Sequence, residues 1–108
     1  MVVGGEGSFV RDKFEPHLRR MEIAVGKHWE WRTTRFGWPT SGIDLVVMIT
    51  DMMNHQMNDR AIAEAARLGV PVAMTVHKWS VAQPRLERTL MLLQQRGSRA
   101  FVRIGSGR

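Results

Sequence analysis

Apolar and polar positions recur along this chain in two periods, and the changes of period mark its elements. Met1-Val2-Val3 is a short apolar run passing into Gly4-Gly5-Glu6-Gly7-Ser8, which predicts a buried strand that ends in a glycine turn. Ser8 is then placed to cap a helix whose apolar positions are Val10, Phe14, Leu18 and Met21, the spacing of a single helical face. Pro16 interrupts that pattern. Because proline brings no N–H and crowds the preceding turn, the helix is expected to begin near Glu15 or to bend there. Gly26 is the expected terminator.

From His28 to Thr34 the period becomes two, with Trp29 and Trp31 on one face and His28, Glu30 and Arg32 on the other, as in a strand exposed on one side. The glycine, proline and serine of residues 35–42 predict a loop where a doubly wound domain would normally place a helix. It is readable as a lid or as a short edge connection. Residues 43–50 form an apolar run that stops at Thr50-Asp51, and Asn54 is the natural cap of the next helix. Met57, Ala61, Ala65 and Leu68 make that helix's stripe, with Ile62 beside it, and Gly69 ends it. Val70 to Val76 is the fourth strand, with Pro71 at its entry. Ser80 and Gln83 resemble a capping box with Pro84 in the first turn, followed by Leu86, Leu90 and Leu93 inward, Met91 and Leu92 widening the apolar face, and Gly97 as terminator. Ala100 to Ile104 is a candidate edge strand, and the basic tail beyond it is expected to be mobile.

The order β-α-β-β-α-β-α-β predicts one small three-layer α/β domain over residues 1–108, Rossmann-like or flavodoxin-like. Its sheet should be mostly parallel, with four or five strands in an order near 2-1-3-4-5. Length agrees, since 108 residues make one core and not two. Cysteine is absent, which removes thiolate catalysis and Cys-ligated zinc. With no leader-like start and no apolar run long enough to span a bilayer, a cytoplasmic protein with no membrane partner is expected. Eight methionines and the small-sided run at 61–66 suggest a homo-oligomer.

The net charge of +6 changes the picture of partners. Basicity favours a polyanion, and toward the C-terminus Arg85, Arg88, Arg96, Arg99 and Arg103 face only Glu87. These arginines would contact phosphates in a nucleic-acid-binding protein, with Trp29, Trp31 or Trp38 stacking bases if exposed. Surplus arginine that merely aids solubility fits the same composition.

Candidate chemistry collects where parallel strands end. Gly4, Gly5, Gly7 and Ser8 follow the first strand, Arg32 to Arg35 the second, Thr50, Asp51, Asn54 and His55 the third, and His77 and Lys78 the fourth. The first and third strands would be neighbours across a switch point, which is where ligands bind in open α/β sheets. These residues can form an anion or nucleotide crevice from the glycine turn, the helix end at Asn54 and Lys78. Gly5 and Gly7 supply only half of a G-x-G-x-x-G pattern, because Val10 stands at the third glycine. Asp51 and His55, four residues apart, can alternatively orient a general base, or hold a metal with His77. Equally, Asp51 and Asn54 can be plain helix caps. No catalytic residue or cofactor is assigned, and a non-enzymatic binding module is the leading expectation.

The chain also resembles a family of small bacterial domains catalogued as domain of unknown function 2325. The resemblance lies in Val2-Val3-Gly4-Gly5, in the apolar strand ending Thr50-Asp51, in Asn54-His55, and in the Ala-rich helix running to Gly69-Val70-Pro71-Val72. It covers roughly residues 2–93. Asn54 departs from the serine common in that position, and the 35–42 loop is this chain's own. The resemblance implies a Rossmann-like fold and brings no activity.

Overall fold

The computed structural model describes residues 1–33 and 35–96, the last two by backbone alone. Its centre is a parallel sheet of β1 (Val2–Val3), β2 (His28–Trp29), β3 (Val46–Ile49) and β4 (Val72–Thr75), in the order β2-β1-β3-β4. All three neighbouring pairs are parallel, and the β2-to-β3 connection passes over β1, so all four carboxyl ends lie along one edge. Four strands in this order are the flavodoxin-like half expected from the alternation of elements. The fifth strand expected at Ala100–Ile104, the terminator Gly97 and the tail lie outside the described residues.

Strand alternation sorts the core into two layers. Val2, Val47, Ile49 and Ala73 face one side, where Phe14 and Leu18 of the first helix and Ala82 and Leu86 of the last complete a core. Val3, Val46, Met48 and Trp29 face the other side and pack against Met57, Ala61 and Ala65. These last three belong to helix α2 (His55–Leu68), whose alanines let its backbone lie close to the sheet. The missing crossover helix between β2 and β3 is replaced by aromatic side chains. Phe36 stacks on Trp29 at 5.2 Å, and Trp38 meets both rings edge-on. Within this loop Trp38 is buried and Phe36 half-buried against the core, while Arg35, Gly37 and residues 40–42 are exposed. Trp38 Nε1 is buried there without an acceptor among the described residues.

The first helix, α1, resolves the conflict at Pro16 in a way the apolar spacing does not foretell. It comprises an α-turn at Gly7–Phe9, a π-helical stretch at Val10–Phe14 and an α-helix at Glu15–Arg20. The Glu15 N–H reaches back to the Val10 carbonyl, five residues away, and the wide turn gives the Pro16 ring room against the carbonyls before it. Ser8 lies inside this helix and caps nothing, since Glu6 holds the N-cap position. Val10, Phe14 and Leu18 are buried as the spacing requires.

β3 and β4 are each shorter at both ends than the runs 43–50 and 70–76 read off the sequence, and three other boundaries differ as well. The second strand stops at Trp29, because the chain turns through Glu30–Thr33 with Arg32 at φ 74°. The last helix, α3, runs Trp79–Arg96, and the Lys78 carbonyl accepts from Val81 and Ala82. Ser80 is thus within the helix, no capping box forms, and Pro84 lies in its interior. Met91 and Leu92 are about half exposed and point away from the core that Ala82 and Leu86 enter.

The end of α1 is the third. It closes at Met21, well before Gly26, through paired bonds from Glu22 N–H to Arg19 O and Ile23 N–H to Leu18 O. The same double closure ends α2, where Gly69 (φ 70°) supplies the left-handed residue and Val70 N–H reaches Ala65 O. In α1 that residue is Glu22, at φ 63°. A side chain there costs roughly 1 kcal/mol relative to glycine. Glu22→Gly is accordingly expected to stabilise the protein by about 1 kcal/mol in urea unfolding. A destabilised variant would mean that the Glu22 side chain contributes more than its backbone strain costs.

Candidate functional site

The carboxyl edge is organised by the glycine turn. Gly4 and Gly5 adopt φ of 97° and 78°, which carries the chain from β1 directly across the end of β3. The Gly4 N–H donates to Trp29 O and the Gly5 N–H to Met52 O, both at 2.9 Å. His28 closes the turn from below, its Nε2 at 2.7 Å from Gly4 O; a carbonyl only accepts, so that nitrogen carries the hydrogen. The two segments predicted to face each other do meet, but as a packed junction. Gly4 and Gly5 are buried and their N–H groups are committed, so neither can cradle an anion. At the amino end of α1, the Gly7 N–H points to Glu30 Oε2 at 3.3 Å, placing a carboxylate where an anionic ligand would sit. Ser8 is exposed beside it.

Beyond β3 a 3₁₀ turn, Thr50–Met52, brings the next group of predicted residues to the same edge. Thr50 Oγ1 donates to Thr75 O at 2.9 Å, joining the ends of β3 and β4. Asp51 pairs with His77 and not with His55. Its Oδ1 accepts the His77 N–H at 2.9 Å and its Oδ2 accepts from the His77 ring at Nδ1. The ring also meets Phe9 edge-on at 5.9 Å. Asp51 thus clips the β4–α3 junction to the end of β3, leaving His77 Nε2 toward solvent. Asn54 is a cap in fact: its Oδ1 accepts from Met57 N–H at 2.9 Å. His55 is the exposed first residue of α2, and Lys78 is exposed where α3 begins. Among the described residues no three of His, Asp and Glu converge as metal ligands.

An open space does exist on this edge, displaced to the α2 side of the sheet. A cleft of about 170 Å³ is floored by Trp29 and Met57 and walled by Arg32, Thr33, Asn54, Gln56 and Arg60. Arg60 is held by its Nη2 bond to Phe36 O at 2.9 Å and by the Trp29 ring, whose centroid lies 5.3 Å away. Arg32 rests over Trp31 at 4.7 Å. Of these lining residues Asn54 is a ligand candidate on sequence grounds, Trp29 a base-stacking candidate, and Arg32 and Thr33 fall among the polar groups after the second strand, whereas Gln56 and Arg60 carry no such signal. The arginines belong to an alternating segment and to the polar side of an amphipathic helix, and neither carries a motif. A larger groove of about 720 Å³ lies at the opposite, amino edge, with mostly apolar walls and the mixed charges of Glu22, Lys27 and Asp44. Nearby, the Met1 amine donates to Leu45 O, and burial pulls its pKa below the ordinary value while Asp44 partly opposes the shift.

The residues assigned to nucleic-acid contact divide. Arg85 and Arg88 are exposed on α3; nothing is described of the Arg96 side chain, and Arg99 and Arg103 lie outside the described residues. Trp29 and Trp38 are 4% and 8% exposed, so neither can stack a base, and one face of the half-buried Trp31 lies against Arg32.

A Cβ at Gly4 would sit 2.8 Å from Ile49 O and 3.0 Å from Met52 O, both backbone atoms that cannot step aside. Gly42, at φ 83°, has open space in the same direction. Gly4→Ala is therefore expected to lose roughly 2–4 kcal/mol, against about 1–2 kcal/mol for Gly42→Ala, which suffers the backbone strain alone. Equal losses in chemical denaturation would show that the turn is not packed against β3. Compared with models of known families, with curated proteins and with solved structures, the chain matches none, and the functional reading rests on residue chemistry and geometry.

Proposed function

We propose that this domain is a non-enzymatic binding module that takes an anionic ligand at the carboxyl edge of its sheet. The observation carrying the reading is the setting of α2. This helix of 14 residues begins at that edge with no acid in its first turn. Asn54 satisfies Met57 N–H, which leaves the His55 and Gln56 N–H groups as first-turn donors without intrahelical acceptors. Arg32 and Arg60 stand beside them in one cleft. Asp51 accepts from His77 and the Thr50 hydroxyl donates to the Thr75 carbonyl, so both residues also join the ends of β3 and β4. In titrations of the labelled protein with pyrophosphate, the expected result is saturable shifts in the amides of residues 30–33 and 54–57. Shifts confined to the amino edge, around Lys27 and Asp44, would overturn the reading.

A second reading, nucleic-acid binding, is favoured by how charge divides between the two helical layers. On α2, Arg60 and Arg67 are matched by Asp59 and Glu64. On the opposite face α1 carries Arg11, Lys13, Arg19 and Arg20 against Asp12 and Glu15, and α3 adds Arg85 and Arg88 against Glu87. His17 stacks on Trp79 at 4.6 Å and joins the two basic helices. Loss of two phosphate contacts in an Arg85→Glu, Arg88→Glu variant should flatten the log K against log salt plot by roughly 1.4–1.8. A wild-type protein that shifts neither DNA nor RNA at low salt removes this reading.

A further inference from the structure

The size and charge of the cleft between the β2 turn and α2 restrict what it can hold. We infer that it binds the phosphate of a small phosphomonoester, not a whole nucleotide; the inference rests on the anion-binding reading above and specifies its ligand.

Charge sets the first restriction. Arg32 has no ion-pair partner among the described residues, and Arg60 has only Glu64, at 3.9 Å. Two guanidiniums against one distant carboxylate leave the cleft positive, and the amino end of α2 adds to this. A dianion matches that excess better than a carboxylate does. Guanidinium forks also suit phosphate oxygens, to which they can donate two parallel bonds.

Preorganisation is the second element. Arg60 is already fixed by Phe36 O and the Trp29 ring, which uses part of its donor set and leaves the rest for a ligand. Arg32 sits at φ 74° in the turn closed by Thr33 N–H to Glu30 O at 3.2 Å, and Trp31 supports its guanidinium. For Arg60, little side-chain freedom remains to be lost on binding. Thr33, Asn54 and Gln56 contribute neutral polar side chains to the same wall.

Volume is the third. The cleft is small, about 170 Å³. That accommodates a phosphate group with a short carbon chain, the latter over the buried Trp29 and Met57 floor. Sites that enclose ligands of nucleotide size typically span about 300–1,000 Å³. A nucleotide could seat its phosphate here but would leave its base in water.

The test is calorimetric titration of the 108-residue protein with glycerol 3-phosphate, inorganic phosphate, AMP and acetate. Glycerol 3-phosphate should bind at least as tightly as phosphate, AMP within about threefold of it, and acetate more than about tenfold more weakly. Arg32→Ala should weaken glycerol 3-phosphate by roughly 10–100-fold, the range for a lost charge-assisted bond. Lys27→Ala removes the same charge at the far edge and should change it by less than about twofold. Arg60→Lys, which keeps charge and loses the fork, should also weaken binding, and a thermal melt checks that it folds. AMP binding more than about tenfold tighter than glycerol 3-phosphate would overturn the ligand class. Undiminished binding by Arg32→Ala would overturn the site; if Lys78→Ala then abolishes it, anion binding at the carboxyl edge stands while this cleft is excluded. Failure of every phosphate-bearing probe to bind the wild-type protein would overturn both.

Discussion

The constraint on which the carboxyl edge depends is the close approach of the Gly4–Gly5 backbone to the end of β3. Ile49 O and Met52 O lie where a side chain on Gly4 would begin, and Gly5 has Val10 at the same kind of distance. Two consecutive residues at positive φ let the chain leave β1, cross β3 and enter α1 without a loop. The turn also gathers β2, since Gly4 N–H meets Trp29 O, Gly5 O accepts from Trp31 N–H, and His28 holds Gly4 O. Strands of two residues could not define a sheet by their own ladder bonds. Here a single turn pins the two of them, β1 and β2, to the end of the four-residue β3.

That closure determines where a ligand can go. In an open α/β sheet the switch point is a crevice because the helices on either side of it diverge. In this chain the switch point between β1 and β3 is filled by backbone, and the helix end nearest to it is met by Glu30. Space reappears only one strand away, where the Glu30–Thr33 turn lifts the chain off the sheet in front of α2. The missing crossover helix contributes as well. Phe36 and Trp38 cover the sheet face with less bulk than a helix, and the Phe36 carbonyl becomes the anchor that aims Arg60.

Much of the fold was legible because it follows from periodicity. Val46 to Ile49, the Met57–Ala61–Ala65 stripe and the Val10–Phe14–Leu18 stripe are buried as their spacing requires. Parallel pairing follows from strands alternating with helices, and Asn54 carries its capping role in its residue type. The departures arise where a local rule met a stronger neighbour. Ser8 and Ser80 are good caps that lost the position because the helices start earlier, at glycine and at the carbonyl of Lys78. Glu22 occupies a place that chemistry assigns to glycine, and Ile23, which follows it, packs against the core. The site was least legible. Asp51 and His55 are close in sequence, whereas Asp51 and His77 are brought together only by the pairing of β3 with β4. Arg32 and Arg60 likewise meet across two elements, and no spacing in a single segment announces them.

The two layers differ in electrostatics for a reason that packing makes plain. Helix α2 lies close to the sheet through alanines, and on its outer surface Glu64 is shared by Arg60 and Arg67. Its charges cancel, and the one guanidinium held inward faces the cleft. Helices α1 and α3 instead anchor through larger residues, Phe14, Leu18 and Leu86, and turn broad outer surfaces to water. A surplus of arginine can accumulate there without crowding the carboxyl edge. The proposed recognition of a small anion at the cleft and attraction of a polyanion to the basic face would thus be physically separable, because the sheet stands between them.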